Sequence, residues 1–89
     1  MILTNETCTT YIENNRYHRA DGPAVMTPIS QEWWNNGICT REDGPARMFR
    51  KDGKLIAEFW LHGEYIAYQD FSQPNCDPQV FEHYWHKGK

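Results

Sequence analysis

Four histidines, three cysteines and several paired carboxylates are the residues of this 89-residue chain whose types could do chemistry. His83 and His86 would share one face of a helix at i, i+3, and with Cys76 they could offer three ligands to zinc. No compact second pair accompanies them, so no metal and no cofactor is expected. Cys39 or Cys8 beside a histidine could make a nucleophile, but no strained elbow or local context singles one out. Glu42 with Asp43, and Asp21 near His18, could act as acid and base. Both carboxylate groups belong to a block that recurs along the chain, and an active site needs only one copy. A non-enzyme is expected.

The recurrence is the organising feature. Slid by 22 residues, His18-Arg19-Ala20-Asp21-Gly22-Pro23-Ala24 falls on Thr40-Arg41-Glu42-Asp43-Gly44-Pro45-Ala46, with five of seven positions identical. The same shift lays Tyr11-Ile12-Glu13-Asn14-Asn15 on Trp33-Trp34-Asn35-Asn36-Gly37. Phe59-Trp60-Leu61-His62-Gly63 repeats the aromatic and the turn at a shift of 26, and Tyr84-Trp85-His86-Lys87-Gly88 at a further 25. The chain thus divides into repeats near 11–32, 33–58 and 59–83 and a partial one at 84–89, within a single domain over 1–89.

These blocks must be positioned by turns and strands. Asn36-Gly37 between two strand-forming runs is a strong hairpin signal, since both residues tolerate positive φ. Asn14-Asn15, His62-Gly63 and Lys87-Gly88 fill the same role, and Asp52-Gly53 makes one more tight turn. Asp21-Gly22-Pro23 and Asp43-Gly44-Pro45 are expected to form the turns at the opposite end, Asp bonding its own following backbone and Pro fixing φ. All the glycines read as turn residues. The result is mainly β: an antiparallel hairpin-repeat meander with strands near 8–13, 16–20, 24–27, 31–35, 38–41, 46–50, 55–61 and 64–68. Asp77 as N-cap and Pro78 as first helical residue predict a short helix over 78–86, with a further hairpin strand as the alternative.

Composition bounds the function. The net charge is −3 and the pI is 5.7, which excludes electrostatic capture of nucleic acid. No apolar run approaches the roughly 18 residues of a membrane span, and residues 1–6 lack a signal peptide's basic start and apolar stretch. The odd, widely spaced cysteines read as reduced thiols, so a cytoplasmic location is expected. Mean hydropathy is −0.83, so the core must be thin, and its payload is four Trp, five Tyr and four Phe.

The blocks His18–Ala24 and Arg41–Ala46, alternating with Trp33–Gly37 and Phe59–Gly63, resemble the MORN-variant repeats of small bacterial and bacteriophage proteins. Some members of that group are described as antitoxin-like. The resemblance covers about residues 11–68. It implies a β-hairpin array used for binding, acting in the host cytoplasm if phage-encoded, and it carries over no catalytic residue.

Alternation sends Leu55, Ala57, Phe59 and Leu61 to one face of a strand and Ile56, Trp60 and His62 to the other. The adjacent pair Trp33-Trp34 does likewise, so both faces of the sheet are aromatic and one short tail cannot cover both. The leading expectation is a protein-binding module that blocks a host or toxin protein. Trp33 or Trp34, Trp60 and Tyr65 would be its apolar anchors, with Arg41, Arg47 and Glu64 as polar rim. One alternative is a small-molecule binder in which aromatics stack on a nucleotide-like ligand and Arg19, Arg41 or Arg47 meets its phosphate. The other is a structural homo-oligomer.

Overall fold

The computed structural model describes residues 1–87. Gly88, and with it the last expected tip turn, lies outside the described residues. Four two-residue turns set the architecture, each with positive φ at both positions: Asn14-Asn15 (52° and 61°), Asn36-Gly37 (50° and 79°), Asp52-Gly53 (51° and 77°) and His62-Gly63 (53° and 81°). This is the type I′ geometry, whose twist matches that of the flanking strands.

Around the turns run β1 (Ile2–Thr4), β2 (Thr9–Glu13), β3 (Arg16–Tyr17), β4 (Val25–Thr27), β5 (Ser30–Glu32), β6 (Trp34–Asn35), β7 (Ile38–Cys39), β8 (Arg47–Lys51), β9 (Lys54–Leu61) and β10 (Glu64–Asp70). The main sheet has the order β1-β2-β4-β5-β8-β9-β10, with β3 joined to β2 and β6 paired with β7. All pairings are antiparallel and the sheet order follows the chain order, β2 pairing β4 past β3 and β5 pairing β8 past the β6-β7 hairpin, so the expected meander is present. β1 was not expected. It closes the first edge, where the Met1 ammonium donates to Ile12 O at 2.7 Å.

The Asp-Gly-Pro blocks differ from expectation. They are not end turns but excursions within a descending strand. On β2 the pairs Ile12↔Tyr17 and Thr10↔Val25 lie two residues apart, whereas the returning chain advances eight. Trp34↔Cys39 and Glu32↔Arg47 show the same two-against-eight mismatch in the second repeat. Each excursion is pinned by its own arginine. Arg19 Nε donates to Asp21 (3.1 Å) and Nη1 to Pro23 O (3.2 Å); Arg41 Nε donates to Asp43 (3.0 Å) and Nη1 to Pro45 O (3.0 Å). Gly44 is needed for close approach rather than for a turn: a Cβ there would lie 2.8 Å from Tyr84 Cδ1 and 3.0 Å from Arg41 Cζ.

The repeats stack through one recurring backbone bond. Gly37 N donates to Tyr17 O (2.9 Å) and Gly63 N to Cys39 O (3.0 Å). Beside them Asn36 N donates to His18 Nδ1 (3.1 Å) and His62 N to Thr40 Oγ1 (3.0 Å).

Helix α1 (Pro78–Lys87) takes the place of a fourth hairpin. Asp77 caps it as expected, its carboxylate accepting from Gln79 N at 2.9 Å. Phe81 and Trp85, spaced i, i+4, are buried against Trp33, Met48, Ala57 and Phe71 on one face of the sheet. Three polar contacts fix this docking. Arg50 makes a two-pronged bond to Glu82 (2.5 and 2.9 Å), and its guanidinium lies 4.4 Å over the Trp85 ring. The fully buried Gln31 amide, oriented by its partners, donates to Trp85 O (3.3 Å) and accepts from Trp85 Nε1 (3.2 Å). The molecule measures 42 × 30 × 19 Å, the thin dimension matching one sheet and one helix layer. One helix covers only one face.

Candidate functional site

The face opposite the helix carries a ladder built by alternation. Glu32 and Trp34 are two residues apart on one leg, Glu58 and Trp60 on another, and Arg47 lies between them, in register with both glutamates. Trp34 Nε1 donates to Glu32 (2.9 Å) and Trp60 Nε1 to Glu58 (3.0 Å). Arg47 bridges the two carboxylates, at 3.1 Å from Glu58 and 3.8 Å from Glu32. Each tryptophan ends in a tyrosine packed edge-on: Tyr17 on Trp34 at 5.5 Å and Tyr65 on Trp60 at 5.6 Å between ring centroids. Tyr17 and Tyr65 are exposed, and the tryptophans are half-buried.

Cys39 sits opposite Trp34 in the second hairpin and is buried. Burial pushes its thiol up to about 11, outweighing the opposing pull of Arg47. A thiol held protonated at neutral pH is a weak nucleophile. Two carboxylates against one guanidinium leave the ladder net negative, with aromatic faces and edges on either side. Such an arrangement can bury apolar groups and hold a cationic one.

The expected site residues separate into two sets. Trp34, Trp60, Tyr65 and Arg47 come together on this face. Trp33 and Arg41 do not: both are only 8% exposed, and neither is available as an anchor or rim. Alternation turns Trp33 toward the helix, where the Arg41 guanidinium covers it at 3.9 Å. Arg41 also reaches Tyr84 O at 3.4 Å, and burial pushes its pKa down while the bond to Asp43 holds it up. Glu64 is exposed but pairs opposite Leu61, one position from Tyr65 and therefore on the other side of the strand. Sequence reading missed Glu32, Glu58 and Tyr17. The recurrence of Glu-x-Trp at 32–34 and 58–60 is their signal, visible at the shift of 26.

A groove of about 530 Å³ runs between the two excursions, lined by Trp34, Asn36, Thr40, His62 and the carboxylates Asp21, Glu42 and Asp43. Arg19 and Arg41 also line it, but each is engaged by its own aspartate and proline carbonyl, and Arg47 by two glutamates. The arginines of the phosphate-binding alternative are therefore committed elsewhere. His86 contacts Glu82 at 3.3 Å and His83 packs on Tyr84, and among the described residues no group of three or more potential ligands could hold a metal ion. No helix among the described residues is long and apolar enough to cross a membrane. No protein-family model matches the chain, and no match is found among curated proteins or solved structures.

Proposed function

We propose that this chain is a non-catalytic protein-binding module that engages and blocks a partner protein through the Tyr17-Trp34-Trp60-Tyr65 face. The observation that carries the reading is one-sided cover by α1: on the opposite face Trp34 and Trp60 pack against the core but stay half-buried, and Tyr17 and Tyr65 beside them are 43% and 52% exposed. Aromatic side chains on a rigid sheet are the usual anchors of protein interfaces, because they bury large area at low entropic cost. The unbalanced Glu32-Arg47-Glu58 group favours a partner that presents a basic side chain among apolar ones. The repeat resemblance further suggests a phage or mobile-element protein acting on a host or toxin protein in the cytoplasm.

The test is capture from host lysate by the tagged chain and by its Trp60→Ala and Tyr65→Ala variants, followed by calorimetry with the captured protein. The expected result is one stoichiometric protein, held about 30-fold or more weakly by Trp60→Ala, which corresponds to about 2 kcal/mol for an anchoring residue. Equal affinity of wild type and both variants would overturn the assignment of the face.

A further inference from the structure

We propose that β10 is the seam of a two-fold homodimer, pairing antiparallel with β10 of a second copy so that the sheet runs on across the axis. This goes beyond the partner-binding reading, because it uses the backbone edge of the sheet rather than the ladder.

The stacking rule of the repeats points to the vacancy. Tyr17 and Cys39 each lie opposite a residue one step back from their hairpin tip, in the slot where the backbone faces away from its own hairpin, and each carbonyl accepts from the glycine of the following tip. Tyr65 holds the same slot opposite Trp60 in the third hairpin. Among the described residues no fourth hairpin follows, because residues 84–87, where its sequence would begin, lie in α1 on the far side of the sheet. Further along, Phe71 N donates inward to Leu55 O, so alternation turns the backbone of Tyr68 and Asp70 outward. Among the described residues this outer side of β10 meets no other strand, Asp70 O alone being taken by Gln73 N of the following turn (3.3 Å), and Tyr65, Ile66 and Tyr68 on it are 52%, 59% and 63% exposed. Of the devices that blunt edge strands, β10 lacks lysine and proline and carries one bulge, at Ile66 between the pairs Tyr65↔Trp60 and Ala67↔Phe59, which leaves the stretch 67–70 regular.

The same rule selects the occupant. In the first two repeats the tip's leading N–H is received by His18 Nδ1 and Thr40 Oγ1. Ile66 stands in that position of the third repeat and offers no acceptor, so another repeat tip, including the Asn14-Asn15 tip of a second copy, would leave an N–H unpaired there. An extended strand has no such requirement. β1, the other sheet edge, is three residues long, so a second β10, with its regular stretch 67–70 beyond the bulge, is the longer match. Two-fold pairing of like strands also closes, leaving no growing end at this edge.

The experiment measures solution mass by light scattering across a concentration series for the wild type, Ile66→Lys and Tyr68→Lys. Both positions are exposed, and melting temperatures check that the variants remain folded. The expected result is a wild-type species of about twice the 10.6 kDa chain mass, shifted to monomer by either lysine at unchanged melting temperature. A wild type that stays monomeric at every concentration, or a dimer that persists in both folded variants, would overturn the proposal.

Discussion

The Arg41 guanidinium lies 3.9 Å above the Trp33 ring and holds the excursion that follows it by bonds to Asp43 and Pro45 O. The first repeat is built alike, with Arg19 4.2 Å over Tyr11 and bonded to Asp21 and Pro23 O. The recurring arginine of the repeat is therefore a pin between sheet and excursion, and the aspartate two residues on is its counter-ion.

Replacing Arg41 with Ala should cost about 2–4 kcal/mol, combining lost charge-assisted bonds with the loss of stacking over an aromatic ring. Arg19→Ala should cost less, because the Arg19 side chain is 17% exposed against 3% for Arg41. Arg41→Lys should not rescue, since an ammonium cannot reproduce the planar fork. Urea unfolding of the three variants checks the ranking, and equal midpoints for Arg41→Ala and wild type would contradict the pin.

Phe81 is fully buried between Phe71 and Trp85, its ring centroid 6.0 Å from the first and 5.7 Å from the second. Phe81→Ala should destabilise the protein by about 3–5 kcal/mol, the usual cost of truncating a packed aromatic. Val80→Ala, at an exposed position on the same helix, should change little. Urea unfolding followed by circular dichroism separates the two; equal losses would mean that α1 is not docked through Phe81.

Arg50 bonded to Glu82 holds the Glu82 carboxyl below its ordinary 4.5. A depressed carboxyl contributes stability that is present above its ordinary value and lost as the pH falls through the folded one. The contribution should be under about 1 kcal/mol, since both side chains are partly exposed. Glu82→Gln should thus lower the urea midpoint at neutral pH, and the gap to wild type should close as the pH drops below 4.5. A gap independent of pH would show that lost packing, rather than the ion pair, sets the difference.

Cys39 is buried with its thiol pushed up to about 11, whereas Cys8 and Cys76 are half-buried. A disulfide reagent at neutral pH should modify Cys8 and Cys76 in the native protein and Cys39 only on denaturation, because the thiolate is the reacting species. Prompt native reaction of all three, counted by mass, would contradict the buried placement of Cys39.

Local chemistry was legible in the sequence wherever a short segment decides its own conformation. Asn14-Asn15, Asn36-Gly37, Asp52-Gly53 and His62-Gly63 each combine residues that tolerate positive φ, and that fixes a tight turn whatever surrounds it. Asp77 before Pro78 likewise starts a helix from local bonding alone. The repeat followed from the same recurrences, and so did the antiparallel order of the strands. Tertiary structure decided what depends on partners distant in sequence. It turned the Asp-Gly-Pro blocks from end turns into excursions, because Arg19 and Arg41 can satisfy their carbonyls in mid-strand. It placed α1 over Trp33 and Arg41, buried two of the expected contact residues, and left Trp34, Trp60 and Tyr65 on the other face. Alternation specifies which residues share a face; only the docking of Phe81 and Trp85 determines which face is removed from water.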